Sequence, residues 1–535
     1  MTTKPQSLAT TSAFEILGPI MVGPSSSHTA GALRCAQVAA SLVEGKVAKV
    51  KFTLWNSFAH TYQGHGTDRA LLAGILGLST DDERIRDSFS LAVKAGLDFT
   101  FEIGGDDASI HPNTVDILME SENGTRAQVR GESLGGGKVQ ISRINGVGVK
   151  ITGRYATLFI AHKDVPGALA ELATLLAKSN VNIATCHNYR SDEDENGDAY
   201  TVFEMDGEPA NSVLPEIRAL EKVHAASFIS LSHDTTAAGP GITAEEIFDN
   251  GEILLEVCEA ENLSIGEVML MREASLIGED EAKRAMARVL EVMRDETSAP
   301  IKNPIRSIGG FIGGEAAKVA LSAEDLAPSL MGAVQTDAVA RAMAVLERSA
   351  AMGVIVAAPT AGSAGVVPGS VLALADHIGA SDDKVIEALF CASAIGMTIQ
   401  TAACVAGAEG GCQAEVGSAA AMAGAACTQL LGGTPEQALT ASCFAIANLL
   451  GLVCDPVGGL VEVPCQARNA IGVAAAYSSA QLALSGIRSL IPFDEVVQAM
   501  GEVGHALPAS LRETAKGGLA ACPSACAACG CHACT

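Results

Sequence analysis

A chain of 535 residues with 48% hydrophobic and only 18% charged residues holds roughly three to four domains' worth of core, which excludes global disorder. Its net charge of −26 repels phosphate backbones and sets nucleic acid aside as the main partner. Aromatics are 4% and glycines number 55, so the core rests on Ala, Leu, Val and Ile in closely packed helices.

Residues 1–12 are polar and lack the apolar run of a secretory signal. A cytoplasmic, reducing setting is therefore expected for the 15 cysteines, where clusters mean metal or catalysis more often than disulfides. Residues 1–148 read as an α+β unit. Strands are expected at 47–53, 98–103 and 114–119, and helices at 29–43 and 67–78. Glycines 135–137 and the Gly146-Val147-Gly148 run act as breakers near its end.

From 153 to 232 a second unit follows. A strand at 156–161, a turn through Asp164, Pro166 and Gly167, and a helix at 168–179 lead to a strand at 183–190. A polar hairpin at 191–198, a strand at 200–205, a helix at 212–220 and a strand at 225–231 complete a ferredoxin-like βαββαβ order. The turn, with Asn180 and Asn182 after the helix, resembles an ACT domain. The resemblance implies either an amino-acid effector or pairing between modules.

After the small-residue linker 237–240, residues 241–520 read as a large all-α domain, beginning with helices at 244–262, 264–278 and 280–296. Three uncharged stretches, 416–435, 437–454 and 469–487, approach the length of a membrane span. They are rich in Ala, Gly, Ser and Thr and lack aromatic belts and Lys/Arg-flanked loops, so buried core helices are expected and no membrane.

Chemistry concentrates in a few motifs. Cys412 sits in a Gly-flanked run, and Cys454 and Cys465 bracket the segment 454–465. Three thiolates suit an iron–sulfur cluster with one iron left open; the alternative is that they are small buried hydrophobes, as expected for Cys391, Cys404, Cys427 and Cys443. In residues 23–31, Gly23-Pro24 makes a turn and Ser25, Ser26 and Ser27 cap a helix whose free N–H groups favour an anion such as a carboxylate. The loop 359–365, with Ser363, has the same character, and it lacks the lysine of a phosphate loop. The double-glycine run 309–314 has no preceding strand and reads as close helix packing. His28, His65 and His111 lie in the N-terminal unit, and histidine suits a general base near neutral pH.

The runs 23–31, 309–314, 359–369, 410–417 and 454–465 occur in the order found in iron–sulfur L-serine dehydratases, which the chain resembles from about residue 14 to 519, ACT-like insert included. The resemblance implies a lyase that converts L-serine to pyruvate and ammonia without pyridoxal phosphate. It implies a 4Fe–4S cluster on Cys412, Cys454 and Cys465, His65 as base, and His28, His111 and Asn113 binding or orienting the substrate. Ser25–Ser27 and Ser363 would hold its carboxylate. A homodimer is expected, and a potassium requirement is left open, as is action on another small hydroxy acid or a purely regulatory amino-acid-binding role. The tail 521–535 departs from the usual pattern, with Cys522, Cys526, Cys529, Cys531 and Cys534. One of these thiols could cap the open iron, as in some relatives; a separate zinc or iron site and an unstructured end are the rival readings.

Overall fold

The computed structural model describes residues 11–135, 137–152, 156–190, 198–205, 207, 209–229, 247–325 and 330–529. It is multidomain: an α+β unit, a ferredoxin-like module and a large helical domain. A short strand β1 (Ile20–Val22) precedes the serine motif. Strand β2 (Val47–Trp55) then buries Val50, Phe52 and Leu54 on one face, the period-two pattern that identifies it in the sequence. It pairs in parallel with β3 (Asp98–Gly105) and antiparallel with β4 (Asn113–Ser121). Strands β5 (Arg126–Gly135), β6 (Lys138–Ile144) and β7 (Val147–Ile151) extend the sheet as an antiparallel meander. Gly135, Gly137 and Gly146 therefore mark hairpins inside the sheet. Gly135, Gly137 and Gly146 all take positive φ, which such tight turns require.

Helices Ala32–Ser41 and Thr67–Ile75 pack against each other and bury Leu33, Ala36, Leu71 and Leu72 in the core of this unit. The first is shorter than the 29–43 expected, because residues Ser26–Gly31 wind as a π-helix before it.

The second module has strands β8 (Ala156–Lys163), β9 (Ile183–Arg190), β10 (Asp198–Met205) and β11 (Val223–Ile229) in the order β11-β8-β10-β9, all antiparallel. Its two helices, Ala168–Lys178 and Val213–Arg218, cover Leu158, Ile160 and Phe203. Phe159, Val202 and Ile229, which belong to the same strands, join the core of the N-terminal unit instead. The module is thus packed on both faces of its sheet. Most of its hairpin 191–198 and the linker 237–240 lie outside the described residues.

In the helical domain, Ser418–Leu430 is the axis, and every residue from Ser418 to Thr428 is buried. Helices Val366–Ile378, Asp382–Ala402, Pro435–Leu449 and Cys465–Leu484 surround it. Small side chains allow that close approach, and enlarging one would strain the core by about 1–3 kcal/mol. The three uncharged stretches supply three of these helices. Among the described residues, Asp382–Ala402 is the one helix long and apolar enough to cross a membrane, and 72% of its apolar window is buried inside the protein. The domain is not wholly α-helical: β12 (Val354–Val356) pairs antiparallel with β1, Met21 opposite Ile355, and so fastens the N-terminal unit to it. The 309–314 run also departs from the helix-packing expectation. It is a loop whose Gly309 and Phe311 amides, with the Ser307 hydroxyl, donate to the Glu462 carboxylate at 2.6–2.9 Å. A Cβ on Gly309 would lie 2.6 Å from Glu462 Oε1, which is why that position is small.

Candidate functional site

Two walls face each other where the N-terminal unit meets the helical domain. On the first, Ser25 caps the π-helix in extended conformation, and its hydroxyl accepts the His28 amide at 3.0 Å. His28 is fully buried. Its Nδ1 lies 3.2 Å from Ser25 Oγ and 3.0 Å from Ser27 Oγ, and its Nε2 lies 2.9 Å from Ser57 Oγ. Burial, followed by the neighbouring His65 and His111, holds its pKa well below the ordinary value, so the ring is neutral.

His65 stands edge-on to His28, ring centroids 4.4 Å apart. The backbone fixes it: its amide donates to the Thr61 carbonyl, its carbonyl accepts the Thr29 hydroxyl at 2.8 Å, and left-handed Gly66 starts the next helix. Its ring is fully buried, yet neither nitrogen has a hydrogen-bond partner. Desolvation lowers its pKa to about 4. Such a neutral ring with open nitrogens can accept a proton. His111 is part-buried, with Nδ1 accepting the Asn113 amide at 3.1 Å, and burial lowers its pKa too. Asn113 is buried with Oδ1 unpartnered, as is the Ser133 hydroxyl.

The second wall carries the thiols. Cys412 follows left-handed Gly411 and opens a second π-helix, Gln413–Gly417. Cys454 lies in a bridge to Arg512, and Cys465 begins the helix Cys465–Leu484. All three are buried. Desolvation first, then nearby Glu415, pushes the Cys412 thiol up to about 12. Cys454 and Cys465 are pushed well above the ordinary range, by burial first and then by neighbouring charges, Glu415 and Cys412 among them. Cys454 thus feels both other thiols, and Cys465 feels Cys412. Arg468, one turn beyond Cys465, stands beside Cys412 and Cys465 and is paired with buried Asp455 at 2.7 Å. Glu415 accepts the Thr360 hydroxyl at 2.8 Å and lies 3.9 Å from Cys454 Sγ.

Ser363 is buried under this wall. Its hydroxyl is engaged within its own loop, at 3.2 Å from both the Ala358 carbonyl and Thr360 Oγ1. Ser26 is buried beside Ser25.

A third element closes the gap. The C-terminal segment runs along Cys454: Cys454 donates to the Leu511 carbonyl and Glu513 donates to the Cys454 carbonyl, each at 2.9 Å. Leu519 donates to Asp455 at 2.7 Å, where a Cβ on Gly518 would clash. Glu513 is buried, and one carboxylate oxygen with a nitrogen each of His28 and His65 forms a set within 4.8 Å. Burial, then Glu415, raises its pKa to about 8. A cavity of about 370 Å³ shares Ser57 with the histidine wall and is otherwise lined by residues such as His60, Asp106, Arg512 and Lys516.

Among the tail cysteines, Cys522 is exposed and Cys526 part-buried. Cys529 ends the helix Pro523–Cys529 beside Gly458, within the 454–465 segment. Cys531 and Cys534 lie outside the described residues.

Comparison with known proteins accounts for this assembly. Residues 12–143 match the serine dehydratase beta chain model, 156–222 the ACT domain and 260–520 the serine dehydratase alpha chain. An L-serine dehydratase of Streptomyces coelicolor is 31% identical over 523 residues, covering 95% of this chain and 98% of its own. The chain belongs to the serine dehydratase family. Two further relatives match only parts of it. The probable L-serine dehydratase alpha chain of Bacillus subtilis is 43% identical over 280 residues, 52% of this chain and 93% of its own. The L-serine dehydratase beta chain of Peptoniphilus asaccharolyticus is 42% identical over 220 residues, 41% of this chain and 98% of its own. This serine dehydratase family member therefore carries in one polypeptide what those relatives divide into alpha and beta chains.

Sequence reasoning did not single out Ser57, Glu415, Arg468 or Glu513. Glu415 and Arg468 each lie three residues beyond a cysteine already noted, one helical turn away, a spacing that signals a shared face. Ser57 and Glu513 carry no such local signal, since each reaches the histidines only through the tertiary fold.

Proposed function

We propose that the protein dehydrates L-serine to pyruvate and ammonia, with Cys412, Cys454 and Cys465 holding a 4Fe–4S cluster. The observation that carries this reading is the meeting of three buried thiols, Cys454 close enough to feel both others, with a buried histidine whose two nitrogens lack partners. The donor set fits the group. Three desolvated thiols are costly to ionise together unless a metal centre accepts them. Gly407 keeps side-chain bulk off this donor set, since a Cβ there would meet Glu415 and Cys454 Sγ at 2.6 and 3.2 Å. When bound, a cluster held by three protein thiolates supplies a Lewis acid for the departing hydroxide.

The remaining work belongs to side chains. His65 takes the α-proton at one of its open nitrogens, which a neutral imidazole does without first losing a proton. His28, held by three serine hydroxyls, keeps the histidine wall in register. The amide groups at the start of the π-helix and the Ser25–Ser27 hydroxyls favour the substrate carboxylate. Asn113 offers its free oxygen to a donor on the substrate, with His111 orienting the Asn113 backbone. Loss of the α-proton and the β-hydroxide leaves aminoacrylate, which tautomerises and hydrolyses to pyruvate and ammonia in water. The ACT module is read as the seat of an amino-acid effector.

Anaerobic purification tests the reading. It requires iron at about four per chain and pyruvate from L-serine, with little product from malate or glycerate. Iron-free protein with undiminished turnover removes the cluster, and preference for another hydroxy acid replaces the substrate.

A further inference from the structure

We propose that Glu513 accepts the α-ammonium group of the substrate, an assignment that rests on the L-serine reading above. Serine carries its ammonium on the same carbon as the proton that His65 removes. The acceptor for that charge must therefore adjoin His65, and the Glu513 carboxylate does.

Its placement is enforced rather than incidental. Glu513 adopts φ +57, a left-handed conformation uncommon for a non-glycine residue, and Ala515 adopts φ +54. Such backbone persists where neighbours over-determine it, and here the paired hydrogen bonds to Cys454 and the Leu519–Asp455 bond do so. The flanking cations are turned elsewhere. Arg512 donates to the Glu409 carbonyl, and Lys516 approaches Asp106 at 3.5 Å. Among the described residues no Lys, Arg or His reaches ion-pair distance of Glu513, whose carboxyl is met by the Ala408 amide. Glu415 adds a second buried carboxyl near enough to be felt.

The buried Glu513 carboxyl adjoins the open nitrogens of His65, so a ligand seated on that ring meets an acid that burial keeps neutral until a cation lies against it. A bare metal ion on His28, His65 and Glu513 fits less well. Both nitrogens of His28 already face serine hydroxyls, so the histidine offers no free donor. An ammonium needs acceptors only, and the carboxylate is the strongest one present.

The test compares L-serine with 3-hydroxypropanoate, which is serine without its ammonium, on iron-loaded protein. Glu513→Gln is expected to weaken serine, as KM and as calorimetric Kd, by roughly 10- to 100-fold, the loss of a charge-assisted hydrogen bond. Inhibition by 3-hydroxypropanoate and iron content should stay unchanged. Glu513→Asp, which keeps the charge with a shorter reach, should recover part of the serine affinity and serves where Glu513→Gln does not fold. Equal weakening of both ligands, or of neither, overturns the assignment. So does wild-type turnover that depends on an added divalent or potassium ion and loses that dependence in Glu513→Gln. Wild-type protein that makes no pyruvate, yet binds serine with the same loss in Glu513→Gln, supports the ammonium site while refuting the dehydratase reading.

Discussion

The imidazole wall and the thiol wall treat buried polar groups in opposite ways. Around His28 every ring nitrogen has a hydroxyl within 3.2 Å, so the network is complete before any ligand arrives. Around Cys412, Cys454 and Cys465 the donors are desolvated and all three thiols are pushed up, so on the proposed reading that wall is completed by what it binds. His65 belongs to the first wall by position and to the second by its unmet nitrogens. A satisfied group positions, whereas an unsatisfied one, costing about 1–3 kcal/mol while empty, marks where a ligand binds.

The strongest way to break that contrast is at the thiols. Replacing Cys412, Cys454 or Cys465 with Ala should each abolish both iron retention and pyruvate formation, since three ligands are the minimum the reading allows. Iron analysis of anaerobically purified variants decides this, and one variant with full iron and turnover removes the cluster assignment.

The acid stability of the protein sharpens the role of His65. Its pKa of about 4 when folded lies below the ordinary 6.5, so between these values the unfolded chain binds the extra proton. Its contribution, about 3 kcal/mol, is therefore fully present above pH 6.5 and is lost as pH falls through 4. Urea unfolding from pH 7 to 4 should show a shallower decline for His65→Gln than for the wild type; parallel declines would mean the ring is already solvated. The smallest effect is expected at Ser57, the partner of His28 Nε2. Ser57→Ala should cost about 2 kcal/mol of stability and lower kcat/KM roughly tenfold, with iron unchanged. A variant with wild-type stability and kinetics would show that His28 needs no such support.

The contrast also explains what could be read in advance. The serine motif and the cysteine runs are local, so capping rules, thiolate chemistry and family resemblance pointed to Ser25, His28 and the three cysteines. Period-two burial likewise exposed β2, β3 and β4. Strands β5 to β7 are hidden in the sequence because the glycines around 135–137 and 146 read as the end of a unit, whereas Gly135, Gly137 and Gly146 turn hairpins within it. The Glu462 nest at Gly309 was taken for helix packing because a loop folded around a carboxylate has no periodicity. Glu513 carries no local signal, since its approach to His65 joins segments about 450 residues apart in sequence.

The division of labour between the walls is tested most directly by His65→Ala, assayed anaerobically for iron, serine binding and pyruvate in one preparation. The account predicts full iron, serine binding close to wild type, and kcat lower by about 10²- to 10⁴-fold, the loss expected for a general base. Loss of iron with the histidine would make His65 a metal ligand, and retained turnover would place the base elsewhere; either result contradicts the account.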